Sequence, residues 1–106
     1  MKLSAWRANL QRGDRLRIDG TSPSDDHHEL MIAETLGEPT YSLWVTSGYK
    51  AGLVLWALPM EANGEPCGID LAWAKQNLVN GLPWSADQLE VIPWDADAEG
   101  YGDHGG

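Results

Sequence analysis

Two adjacent histidines, His27 and His28, follow two aspartates, Asp25 and Asp26. Imidazole and carboxylate together suit a divalent metal. All four sit in one polar loop, however, where neighbouring side chains rarely converge on one ion. No second group of ligands stands at a recognisable spacing, and His104 lies in a remote C-terminal stretch. The loop therefore reads as surface, and no metal is expected. Cys67 is the single cysteine, which excludes an intrachain disulfide and a cysteine zinc cluster. A nucleophilic Cys67 would need a neighbouring base, and no local Cys-His pattern provides one. Ser47 to Gly52 (SGYKAG) is glycine-rich but lacks the spacing of a phosphate loop and opens no helix. Paired carboxylates for acid–base chemistry need burial and fixed separation. The acids here are scattered over loops, turns and alternating strand positions. No catalytic residue and no cofactor is assigned, and the chain reads as a non-enzyme.

Contact chemistry is better represented. The sequence has six tryptophans and no phenylalanine. Trp44, Trp56 and Trp73 fall inside expected elements and read as core or near-core packing. Trp6, Trp84 and Trp94 fall at element edges or turns, and the last two each follow a proline. Exposed tryptophan is favoured at interfaces because it offers a large contact area at low entropic cost. The expected partner-binding residues are Tyr49 and Lys50 in the glycine-bracketed link, Trp84 and Trp94 in their turns, and the acids Asp25, Asp26 and Glu29 beside one loop. The tail acids Asp95, Asp97 and Glu99 are an alternative, reaching a partner as a flexible arm.

The elements that must position these residues are short. Leu3, Trp6 and Leu10 recur at helical spacing, so a brief N-terminal helix is possible before Gly13. Arg15 to Ile18 alternates cation and aliphatic, the period of a half-buried strand. Glu29 to Leu36 reads as a second strand, with a short helix as competitor. Thr40 to Thr46 is β-branched and aromatic, the clearest strand. Leu53 to Leu58 is wholly apolar and reads as a central strand covered on both faces. Asp70 is a good N-cap, and Leu71, Ala74 and Leu78 form one face of a helix that Asn80-Gly81 ends. Leu89 to Pro93 is the last strand. The expected fold is mostly β with an α+β order: about five strands in a strongly bent antiparallel sheet or SH3-like barrel, with one short helix before the last strand. Residues 1–94 form a single domain. Residues 95–106 are acidic, Gly-rich and nearly free of aliphatics, the composition of a flexible tail.

Charge narrows the partner. In 106 residues, 7 Lys+Arg stand against 16 Asp+Glu, for a net −9. Nucleic acid and anionic membrane are disfavoured as partners of such a chain. The distribution is uneven: residues 1–17 hold five cations and Asp14, whereas residues 18–106 hold Lys50 and Lys75 against fifteen acids. The basic segment is able to pair with the acidic body or with an acidic partner, and the plainer reading is solvated surface charge. No signal peptide or membrane-length apolar run is visible, so a soluble, cytoplasmic protein is expected.

Trp44 to Leu53 (WVTSGYKAGL), Leu58 to Ala62 (LPMEA), Gly68-Ile69 with Trp73 and Asn77, and Leu89 to Ile92 (LEVI) together resemble family 45 of the immunity proteins of bacterial polymorphic toxin systems. The resemblance runs over about residues 40–93. It implies a protein encoded beside a toxin, which binds that toxin and blocks it in the producing cell without catalysis. An acidic inhibitor suits a basic target such as a nuclease, because complementary charge speeds association. The alternative is a small adaptor or phage-type accessory domain that binds another protein without neutralising it; gene order separates the two.

Overall fold

The computed structural model describes residues 1–22, 24–25, 27–46 and 51–94. Five strands form: β1 (Arg15–Ile18), β2 (Glu29–Glu34), β3 (Tyr41–Val45), β4 (Val54–Ala57) and β5 (Leu89–Ile92). They make one antiparallel sheet in the order β4-β3-β2-β1-β5. The first four strands are consecutive neighbours. A helical run of α1 (Leu71–Trp73), a π-helical segment (Ala74–Leu78) and α2 (Val79–Gly81) then carries the chain from one edge of the sheet to the other. This is the α+β order expected, with the helix before the last strand. The sheet stays open, with β4 and β5 as its two ends, and does not close into a barrel.

Register explains which face is buried. Leu16 lies opposite both Leu30 and Val91, Ile18 opposite Leu89, Leu30 opposite Val45, and Ile32 opposite Leu43. Because side chains alternate across a strand, these aliphatics share one face. They are buried with Leu3, Leu10, Ile69, Ala74, Leu78 and Leu82 in a single core. The cations of β1 point the other way. Arg17 donates to Glu29 Oε2 at 2.9 Å from Nη2, and Arg15 lies 3.7 Å from Glu29 Oε1. Lys2 pairs with Asp19 and Glu90, and Arg12 with Glu34 at 2.7 Å. The basic N-terminal segment thus neutralises acids of the body.

Two local expectations are corrected. The first residues form only a 3₁₀ turn at Leu3–Ala5, not a longer helix. Leu3 and Leu10 are nonetheless fully buried, so the spacing marked core contacts rather than a continuous helix. Leu53 to Leu58 contains not a central strand but the edge strand β4, with Leu53 57% and Val54 49% exposed. A wholly apolar run carries no alternation, so it cannot tell two-sided burial from an exposed apolar edge. The expected tail, residues 95–106, and the expected contacts Asp26, Tyr49 and Lys50 lie outside the described residues.

The two edges differ in what lies on them. At β5, Val91 N–H donates to the Met1 carbonyl at 2.8 Å, and Lys2 bridges Glu90 in antiparallel register. The N-terminus therefore covers that edge. Among the described residues, no strand or bridge lies on the outer side of β4.

Candidate protein-binding surface

Trp56 stands opposite Leu43, on the core face of the sheet, but at its outermost strand. With no further strand beyond it among the described residues, its ring leans over the end of the helical run. A Cβ placed on Gly81 would fall 2.4 Å from the Trp56 ring, so the glycine is what lets the helix end this close. Trp73 meets the same ring at 5.9 Å between centroids, tilted by 43°. The helix is positioned by its start: Asp70 accepts from Trp73 N–H at 2.9 Å, an N-cap that satisfies one of the first unpaired amides.

After Gly81 the chain turns through Leu82, Pro83 and Trp84. Leu82 N–H still donates to the Leu78 carbonyl at 2.8 Å, and Pro83 then cannot continue the helix. Trp84 is half-buried and its ring faces His27 at 5.7 Å, tilted by 55°. His27, Leu55, Trp56, Gly81, Leu82, Pro83 and Trp84 line a cleft of about 340 Å³. The walls are aliphatic and aromatic, with one imidazole. Such a cleft suits a single apolar or aromatic side chain of a partner. Exposed apolar side chains continue away from it along β4 and the turn beyond, at Leu53, Val54 and Met60.

The expected contact residues scatter. Trp84 belongs to the cleft. Trp94 is 60% exposed but lies beyond the far end of β5, over Gly13, and its N–H donates to Asp14 Oδ1 at 3.0 Å. Gly13 has φ +92, and its missing side chain leaves room for the Trp94 Cβ. Trp94 lines a separate, more polar cleft with Gln11, Arg12, Glu34, Tyr41 and Cys67. Asp25 is exposed, and its carboxylate accepts from Ser22 N–H at 2.8 Å. Glu29 opens β2 as a buried residue. Besides its arginines it accepts from Thr46 Oγ1 at 3.0 Å, so its carboxylate is held within the sheet's outer face.

His27 and His28 point into different surroundings. The Thr21 hydroxyl donates to the Ile18 carbonyl, which makes His28 Nδ1, 2.7 Å away, the donor to Thr21. Among the described residues no three His, Cys, Asp or Glu side chains converge as a metal site would require. The Cys67 thiol is exposed and donates to Gln11 Oε1 at 3.1 Å. Titration shifts mark the N-terminal ion-pair cluster. The hydrogen bond to Asp19 is the main cause raising Lys2 above its ordinary value. Glu90 is lowered, first by its hydrogen bond from the terminal amine and further by Lys2. This cluster sits at the β5 edge, away from the cleft.

Sequence reasoning singled out Trp84 but not the rest of the cleft. Leu55 and Trp56 were hidden in the run read as doubly buried, and His27 was weighed only as a metal ligand. The visible signal was the pairing of an apolar strand with Gly81-Leu82-Pro83-Trp84, a helix stop that itself carries apolar bulk. No helix is long and apolar enough to cross a membrane. Comparison with family models, curated proteins and solved structures finds no match to this chain.

Proposed function

We propose that this chain is an immunity protein: a non-enzymatic, cytoplasmic inhibitor that binds a cognate bacterial toxin one to one and neutralises it. One observation carries the reading. The Trp56–Trp84 cleft and the edge of β4, uncovered among the described residues, set apolar contact surface side by side in a chain of net charge −9. An apolar anchor site within an acidic molecule is the arrangement that selects a basic protein partner. The likeness of Trp44 to Ala62 to family 45 of the immunity proteins supplies the biological setting. A basic nuclease-type toxin fits the charge best.

The test is co-expression with the toxin domain encoded by the adjacent gene. The expected result is growth of cells that the toxin alone kills, and a stable 1:1 complex on gel filtration. Toxicity undiminished by this chain, with no complex, rejects the reading. A complex that leaves the partner's activity intact assigns an adaptor instead.

A further inference from the structure

We propose that the outer edge of β4 receives an extended, Lys- or Arg-bearing segment of the toxin as a sixth strand, with one apolar side chain seated in the Trp56–Trp84 cleft. The inference rests on the inhibitor reading above and adds the mode of binding.

The edge itself is the first reason. Residues Met1 and Lys2 cover β5, whereas the described residues place nothing beyond β4. An open edge presents unpaired main-chain donors and acceptors, and proteins usually blunt such an edge with charge, proline or a cover. Here β4 reads Val-Leu-Trp-Ala, with no charge and no proline, and its pairing with β3 is interrupted by one register shift between Leu43 and Trp44. In strand addition the main chain gives affinity, while pockets for alternate side chains give specificity. The register shift against β3 puts Trp56 and Val54, two residues apart, on opposite faces of β4, opposite Leu43 and Trp44 respectively. Successive residues of an added strand would therefore meet the cleft on one face and Val54 on the other.

Charge selects the occupant. Between Ile18 and Ala74 the sequence holds nine acids and one cation, Lys50, which lies outside the described residues. Asp19, Glu29 and Glu34 pair with Lys2, Arg17 and Arg12, whereas the exposed Glu38, before β3, and Glu61, after β4, pair with no cation among the described residues. The placed cations with partners lie elsewhere: Arg15 and Arg17 on β1, Lys2 at β5, Arg12 against Glu34, and Lys75 against the Ser4 carbonyl. Strand β1 is three strands away from β4. A basic segment laid along β4 would meet the exposed Glu61 in the turn Met60–Ala62 that follows the strand. A second copy of this chain brings −9 against −9 and is repelled.

The test follows amide hydrogen exchange of the chain, free and in complex with the toxin domain of the adjacent gene. Amides within Leu53–Ala57 that exchange fast in the free chain should slow at least about ten-fold on binding. Val54→Lys, which places a like charge before the basic segment, should weaken the complex about thirty-fold, while Val54→Thr changes it less than about three-fold. Trp84→Ala should match the larger loss, and Trp84→Leu, which preserves packing, should recover part of it. A complex whose protection falls elsewhere, or that tolerates Val54→Lys, overturns the docking mode and leaves the inhibitor reading standing. Absence of any complex rejects both. A dimer of the free chain in sedimentation that Val54→Lys dissolves assigns the edge to a second copy and also overturns the proposal.

Discussion

Gly81 is where a single hydrogen atom decides the shape of the cleft. Its hypothetical Cβ lies 2.4 Å and 2.6 Å from two Trp56 ring atoms, so Gly81→Ala forces the ring aside. The ring has little room to yield, because Trp73 stands against it. We expect a loss of about 1–3 kcal/mol, the usual cost of overpacking, measured by urea unfolding, with a red shift of tryptophan emission as Trp56 gains water. Unchanged stability and emission would mean that the ring is free to move and the cleft is not pre-formed. Glu29 shows the opposite relation between type and setting. As an acid beside a polar loop it read as a contact residue. Its position at the start of β2 instead sets it opposite Arg17, which together with Arg15 and Thr46 engages its carboxylate. Cross-strand pairing is long-range information that the loop sequence does not contain.

At the scale of elements, the parts with a clear period were legible. Strands β1 and β5 alternate, and both form with the expected inward residues, Leu16 and Ile18 on one and Leu89 and Val91 on the other. The helix announced itself through Asp70 and its apolar face. Asp70→Ala should cost about 1 kcal/mol by removing the cap on Trp73 N–H, read as a lowered midpoint in thermal unfolding. No drop would show that packing of Ala74 and Leu78, rather than the cap, holds the helix start. What the sequence hid was lateral order. Leu53 to Leu58 is more apolar than any neighbour and still ends on the outside, because sheet position is set by topology and not by composition. The cleft was hidden for the same reason: Trp56 and Trp84 are 28 residues apart in sequence and meet only because the helical run returns across the sheet.

For the whole molecule, charge governs rate more than fold. The association rate with the toxin domain should fall steeply with added salt, measured by stopped flow. Truncation after Trp94 removes four acids and takes the formal charge from −9 to −5. The salt slope should then flatten while the 1:1 complex persists; a truncated chain that no longer binds would place contacts in residues 95–106. The asymmetry of the two sheet edges has a further, colloidal consequence. One edge is sealed by the chain's own first residues, while the other carries no strand or bridge among the described residues, and net charge opposes its pairing with a copy. That repulsion fades towards about pH 4.5, where the composition balances acids and bases. Solutions of the free protein should turn cloudy there with β-rich aggregates, whereas the complex, its edge occupied, should stay clear. On this view the toxin protects its inhibitor from self-association, and a cell that stores the inhibitor alone must keep it charged.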